Sequence, residues 1–239
     1  MKKKMIIIFI WLLIWQGLSG LISNSILFAG PYETAAALWS MLGDHLFYLS
    51  IGSSILRIML GILAGAFLGT ICGAVAYKIK TFKNFIGPFV SVIKSIPVAS
   101  FIIIILIWTG NKNVSFFISA LVSFPLVYIQ ILNRLLGIDK AILELAACYK
   151  VGLLKRIRYI YLKELREGLR LAMELAIGMG FKSGTAAEVI GQPLNSIGNN
   201  LYRAKINLDT DRLFAWTVTI VVISYVIEKV VSYILKKKV

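Results

Sequence analysis

The chain is poor in the side chains on which most metal sites and much catalysis depend. It has one histidine, His45, and two cysteines, Cys72 and Cys148. His45 sits in a predicted loop, and each cysteine lies alone in or near a predicted helix, with no ligand spacing and no evident disulfide partner, so both cysteines are expected to be packing residues. These counts argue against a metal site and against histidine-based catalysis. Charged residues are also scarce, 15% of 239 positions where an ordinary soluble domain carries about 25%. No His pair, Ser/Lys or Asp/Asp arrangement falls in an apolar stretch, so a membrane-embedded enzyme is disfavoured. There is no Gly-x-x-x-x-Gly-Lys-Ser/Thr phosphate loop, so ATP hydrolysis is not expected of this chain.

Hydrophobic length is abundant. Hydrophobic residues make up 59% of the chain and the mean hydropathy is +0.83. Apolar runs of roughly 18 residues or more read as transmembrane helices, and six are predicted, over 5–23, 49–77, 85–109, 114–136, 168–190 and 213–235. The expected fold class is all-α integral membrane, a single transmembrane domain over 1–239. The start, MKKKMIIIFIWLLIWQGL, has the basic head and apolar body of a signal peptide. Leu18, Leu21 and Ile22 stand where a small-residue cleavage site belongs, so an uncleaved first span is expected.

A net charge of +15 could suggest nucleic acid, but the charges alternate in sidedness along the spans, as the positive-inside rule describes. Lys2 to Lys4, Lys78, Lys80, Lys83, the basic residues of 134–170, Lys229 and Lys236 to Lys238 fall on one side. Only Lys112, Arg203, Lys205 and Arg212 fall on the other. Both termini are therefore expected in the cytoplasm. Outside, residues 34–42 read as a short interfacial helix. Residues 191–212 read as the longest external loop, with turn signals at Gly191, Pro193 and Gly198.

Two spans carry small residues at every fourth position, Gly61, Gly65, Gly69 and Gly73 in the second, and Ala172, Ala176, Gly180 and Gly184 in the fifth. Such ridges let helix backbones approach closely, and membrane packing alone explains them as well as a pathway does. Between the fourth and fifth spans, segment 140–167 is water-facing and basic. Its core is Glu144, Leu145, Ala146, Ala147 and Cys148, then Gly152 after three residues, with Leu153, Lys155 and Arg156 following. Small residues let a short helix sit deep in a partner's groove, and Gly152 is expected to end that helix and turn the chain.

This core resembles the cytoplasmic loop of bacterial ABC importer permeases, whose pattern is Glu-Ala-Ala, three residues, then Gly. With Gly152 as anchor, Ala146 stands at the Glu position, Cys148 replaces the second Ala, and the downstream prolines are missing. Further segments resemble the nitrate/sulfonate/taurine-type branch. They are Ser54-Ile55-Leu56-Arg57 with Gly61, Lys94 to Ala99 around Pro97, Trp108-Thr109-Gly110, Ala187 to Gly191, Ile197 to Leu201, and Leu208 to Arg212. They run collinearly over about residues 30–235.

The resemblance implies a type I permease that forms the translocation pathway for a small solute, a nitrate-, sulfonate- or taurine-like anion or a vitamin- or pyrimidine-like compound. Its implied partners are cytoplasmic ATPase subunits, a second permease copy or a paralogue, an extracytoplasmic solute-binding protein and the lipid membrane, with no nucleic acid. This chain would bind no cofactor, ATP and Mg being used by the partner. Segment 144–156 would be the coupling helix, with Leu145, Ala146, Ala147 and Leu153 in contact with the ATPase. Lys155, Arg156 and Arg158 would pair with acidic ATPase residues or with anionic lipid.

Charges inside spans cost about 2.5–3.5 kcal/mol at mid-membrane on insertion scales and so tend to face interiors or pathways. Arg57, Lys94, Lys182, Glu174 and Glu188 are the candidates. Lys94 and Glu188 are expected to form gating or helix-orienting ion pairs with one another or with Arg57, and Pro97 is expected to kink the third span. A different class remains open, a membrane scaffold whose basic loop recruits a cytosolic protein without transport. A secondary carrier would be expected to be longer and to carry internal repeats.

Overall fold

The computed structural model describes residues 2–22 and 27–237, with side chains for 5–7, 9–22 and 27–234. The charges of Lys2 to Lys4 and Lys236 to Lys238, on which the expected orientation draws, lie outside the described side chains, as do residues 23–25 of the leader-like region. All regular structure among the described residues is helical: α1 (Lys2–Ile22), α2 (Pro31–Leu42), α3 (His45–Lys78), α4 (Lys80–Ser95), α5 (Val98–Thr109), α6 (Val114–Leu136), α7 (Lys140–Cys148), α8 (Leu153–Arg156), a π-helical turn (Ile157–Tyr161), α9 (Leu162–Gly191), α10 (Ile197–Ile206) and α11 (Thr210–Lys237).

The core is a three-helix sandwich of α3, α6 and α9. The α3 glycines lie against the α6 backbone in ascending order. Cβ atoms at Gly61, Gly65 and Gly69 would press on the carbonyls of Phe116, Ala120 and Phe124, and one at Gly73 on Ile131 and Tyr128. Contacts that rise together in both helices mean that α3 and α6 run parallel. Helix α9 runs the other way: Gly168 meets Arg134 and Ile131, Gly180 meets Ser123 and Ile62, Gly184 meets Ser119 and Ile58, and Gly191 meets Val114. Ser119 Oγ donates to the Gly180 carbonyl at 3.1 Å. Ile58, Ile62, Val127, Ile131, Ile177 and Phe181 fill the interior. Helix α11 packs antiparallel on α9, with Ser232 Oγ donating to Glu174 Oε1 at 2.6 Å near one end. Near the other end Trp216 clusters with Phe47 and Ile197.

Helix α1 stands apart from this core. Among its contacts with the rest, Trp15 Nε1 donates to the Ala29 carbonyl at 3.0 Å, Ser19 Oγ to the Phe28 carbonyl at 3.2 Å, and Trp15 meets the Phe214 ring at 5.6 Å.

Four helices among the described residues are long and apolar enough to cross a membrane, within Met5–Ile22, His45–Lys78, Val114–Leu136 and Thr210–Ile234. The predicted third span, 85–109, is not the single kinked helix expected. It is α4 and α5, bent by 103° at a break. The break, though not the size of the bend, is local: Pro97 has no N–H, and its ring pushes Ile96 out of the helical region, to φ −80° and ψ 132°. Pro125, by contrast, is buried within an unbroken α6. The expected fifth span, 168–190, lies within α9 but is not one of these apolar spans, since Glu174, Lys182 and Glu188 interrupt it.

Three other expectations change. The interfacial helix begins earlier than 34, at Pro31, a residue suited to a first helical turn. Residues 191–212 are not an open loop but hold α10, turned off α9 by Gln192 in the left-handed region, φ 50°. Of the two cysteines, Cys72 is half-buried beside Tyr128, whereas Cys148 is exposed and does not serve packing.

Candidate functional site: a buried carboxylate latch and an exposed apolar knob

At the end of the core where α3 begins and α9 ends, Glu188 is buried with no exposed surface. Its Oε2 accepts from Ser54 Oγ at 2.6 Å and from the Gly198 N–H at 3.3 Å. Its Oε1 accepts from Ser115 Oγ at 3.2 Å and pairs with Arg57 Nη2 at 3.4 Å. Ser54 relays the contact, because its Oγ also accepts from the Ile197 N–H at 2.9 Å. Arg57 Nη2 donates in addition to the Asn195 carbonyl at 3.1 Å. One carboxylate thus ties α3, α6 and α9 to the start of α10. The approach is close enough that a Cβ on Gly198 would strike Glu188 itself. Unpaired, such a buried charge is strongly destabilising, and three neutral donors with a cation are the compensation it requires.

The knob lies at the opposite end of α6, about 33 Å away at 1.5 Å per residue over Val114–Leu136. Asp139 caps α7, accepting from the Ala141 N–H at 2.9 Å. The chain then reverses between Tyr149 and Gly152. The left-handed residue is Lys150, φ 49°, while Gly152, at φ −60° and ψ 151°, is the N-cap of α8. Gly152 therefore starts a helix here and does not end one. Lys150 N–H donates to the Ala147 carbonyl and Val151 N–H to that of Ala146, each at 3.0 Å. Arg156 closes the reversal from the far side: Nε donates to the Val151 carbonyl and Nη2 to the Ala146 carbonyl, both at 2.8 Å. From Leu153 the chain stays helical through the π turn into α9. Arg134 braces that junction against Glu164 at 3.7 Å and Glu167 at 3.5 Å.

What the knob shows to its surroundings is apolar. Leu145 is 56% exposed, Tyr149 78%, Leu153 75% and Leu154 82%. Four large apolar side chains exposed within ten residues, with exposed Lys150, Lys155 and Arg158 among them, are suited to an interaction surface.

The family profile described as "Binding-protein-dependent transport system inner membrane component" matches residues 58–239. The chain belongs to this family. It is a type I ABC importer permease, a transport component and not an enzyme, and a multi-pass protein of the inner membrane. A relative from Bacillus subtilis (strain 168), named an aliphatic sulfonates transport permease protein, SsuC, is 23% identical over 226 residues, covering 94% of this chain and 82% of its own length.

In the permease, the residues singled out from sequence divide clearly. Arg57 and Glu188 meet. Lys94 is exposed at the end of α4 and Lys182 is exposed on α9, and neither forms an ion pair among the described residues. The expected Lys94–Glu188 pairing is therefore not made, and Pro97 stands at a helix break, not a kink. Glu174 is held by Ser232. Of the residues expected to touch an ATPase, Leu145, Ala147 and Leu153 are exposed, while Ala146 is buried against its own chain at 8%. Arg156 is turned inward on backbone carbonyls, unlike the free outward charge expected. Glu144 and Cys148 lie exposed on α7.

The sequence reading missed Ser54, Ser115 and Gly198 as partners of Glu188. Ser54 had a signal, since it lies three residues before Arg57 and so on the same helix face. Ser115 had none.

Proposed function

We propose that the permease is the pore-forming half of an ATP-driven importer. It pairs with a second copy or a paralogue over two ATPase subunits and takes its solute from an extracytoplasmic binding protein. The exposed apolar knob carries this reading: Leu145, Tyr149, Leu153 and Leu154 form a protrusion shaped to enter a cleft, at the opposite end of the core from the latch.

The chain crosses the membrane six times, with both termini in the cytoplasm. The parallel run of α3 and α6 supports this, because the segment between them must return across the bilayer once, and α4 with α5 is what makes that return. Helix α9, antiparallel to α6 over the same length, crosses with Glu174 and Glu188 turned to protein partners, Ser232 and the latch. The distribution of lysine and arginine puts the knob inside and α10 outside.

Movement of the knob, driven by closure of the ATPases, passes through α8 and the π turn into α9 without a helical break. At the far end of α9 it reaches Glu188. The latch joining α3, α6, α9 and α10 is then the contact that rearranges when the external gate opens, with Gly61, Gly65, Gly180 and Gly184 as the sliding surfaces. A small organic oxyanion of the sulfonate kind is the solute best supported, by the name of the Bacillus relative.

Purified permease, reconstituted in proteoliposomes with an ATPase and a binding protein encoded beside it, is expected to take up a labelled aliphatic sulfonate in the presence of ATP. Uptake should require the binding protein. An ATPase that associates with the knob while no binding protein stimulates it would favour the recruiting scaffold instead.

A further inference from the structure

Beside the latch, on the same short helix, is a second feature that the transport reading does not use. The last turn of α10, the turn after it and the start of α11 form a half-open cavity of about 230 Å³ lined by Asn200, Arg203, Asn207, Asp209, Arg212 and Trp216. Its walls are fixed. Leu208, a bulky residue at φ 57°, is held there by its N–H to the Lys205 carbonyl at 3.2 Å and by the Asp209 N–H to the Ala204 carbonyl at 2.9 Å. A side chain of this kind keeps a left-handed backbone only where its surroundings over-determine it. Trp216, almost fully buried, rests on Phe47 at 5.0 Å between ring centres. Asn200 is anchored by its Nδ2 on Ser50 Oγ at 2.8 Å.

The charges in this cavity are not paired with one another, and both arginines reach its open rim. Two guanidiniums and one carboxylate line it, yet none of Arg203, Arg212 and Asp209 is in an ion pair among the described residues. Each guanidinium offers five N–H donors in a planar fork that matches an oxyanion. With two such forks against one carboxylate, the cavity carries a net positive charge and favours a single negative headgroup. Asp209 disfavours a more highly charged anion.

We propose that this cavity is an oxyanion-binding site, taking a carboxylate or sulfonate group between Arg203 and Arg212. Helix α10 begins at Ile197 and Gly198, whose N–H groups bond to Ser54 and Glu188, and Arg203 lies five residues further, about 7.5 Å along the axis. An anion seated in the cavity thus braces one end of a helix whose other end is the latch. The two possible sources are a free organic anion and an acidic side chain of a docked protein. That the anion arrives from the extracytoplasmic side rests on the orientation given above.

The site is tested on the full-length permease in lipid nanodiscs, without ATPase or binding protein, by titrating sodium methanesulfonate at constant ionic strength against sodium chloride. Trp216 supplies the fluorescence signal, with Trp216→Phe as the blank. A saturable change is expected. Arg203→Gln with Arg212→Gln should raise its midpoint by about tenfold or more, from the loss of charge-assisted hydrogen bonds, while Asp209→Asn should lower it. The Asp209→Asn gain separates the site from mere unfolding, which cannot improve binding. No saturation, or the same curve in wild type and the double Gln variant, would overturn the proposal.

In the assembled transporter, loss of binding-protein stimulation in the double Gln variant, with methanesulfonate competing against that protein, identifies a protein carboxylate as the source. Unchanged stimulation with reduced uptake identifies the free anion. Addition of methanesulfonate to one face of sealed, oriented vesicles checks the sidedness separately: a response only from the knob side would overturn the orientation and leave the site standing.

Discussion

Arg57 and Glu188 are 131 positions apart in the chain and meet, Nη2 to Oε1, at 3.4 Å. Glu188 has no exposed surface there, while the Arg57 side chain keeps 18% of its own. The pair is asymmetric, with a sealed anion and a cation that still reaches the edge. Arg57 also holds the Asn195 carbonyl, so any motion of the guanidinium moves the strap between α9 and α10.

Removing the carboxylate should therefore cost more than removing the cation. Glu188→Ala leaves the Ser54, Ser115 and Gly198 donors without this acceptor and Arg57 with only the Asn195 carbonyl, a loss of about 1–3 kcal/mol for each buried donor left unsatisfied. Arg57→Ala should cost less, because Glu188 keeps three hydrogen bonds. Thermal unfolding of the four members of the Arg57/Glu188 double-mutant cycle in detergent measures both costs and their coupling. A Glu188→Ala protein as stable as wild type would rule out the latch.

Close approach at the glycine ridge predicts a position-specific response to added carbons. Gly65→Val places its Cβ against the Ala120 carbonyl oxygen and should destabilise by about 1–3 kcal/mol. Gly87→Ala and Gly178→Ala meet nothing within 4 Å and should be neutral or slightly stabilising. Yield of monodisperse protein and its melting temperature distinguish the two sets.

Pro97→Ala should let α4 and α5 approach one continuous helix, since it restores an N–H and frees Ile96 to become helical. Spin labels at Ser91 and Ile103, in a background with Cys72 and Cys148 replaced, should move apart. An unchanged distance distribution would mean that packing against α6, and not the proline, sets the 103° bend.

At the knob, Leu153→Glu should abolish co-purification of an ATPase subunit while leaving the permease's melting temperature near wild type, because Leu153 is 75% exposed. Ala146→Glu should lower the melting temperature itself, as that position is buried.

Arg156→Gln releases the carbonyls of Ala146 and Val151. Trypsin should then cut faster after Lys150 and Lys155 than in wild type. An equal cutting rate would show that the reversal does not depend on the arginine.

How much could be read in advance differed by element. Span 114–136 matches α6 at both ends, because an apolar run between Asn113 and Gly137 leaves little freedom in where a membrane helix starts and stops. The ridge spacing anticipated close packing and the Ala-Ala-Cys-x-x-x-Gly core anticipated the knob. The residue that turns the knob was misread: a glycine pattern points to Gly152, but Lys150 is left-handed because two carbonyl contacts and Arg156 hold it so. The third span was misread in degree, since a proline marks a weak point and neighbouring helices decide how far the chain bends there.

Composition and periodicity by themselves determined that this chain belongs in a membrane, that its long apolar runs are helical and that one segment is strongly basic. Those properties follow from local quantities, apolar length and charge spacing, that each segment carries independently. Only tertiary structure decided that Glu188 takes Arg57 and not Lys94, that Ser115 joins them, that Ala146 faces inward, and that Arg203 and Arg212 share a cavity. Such choices depend on which faces meet in space, across 131 residues of chain for Arg57 and Glu188, and no local pattern encodes that meeting.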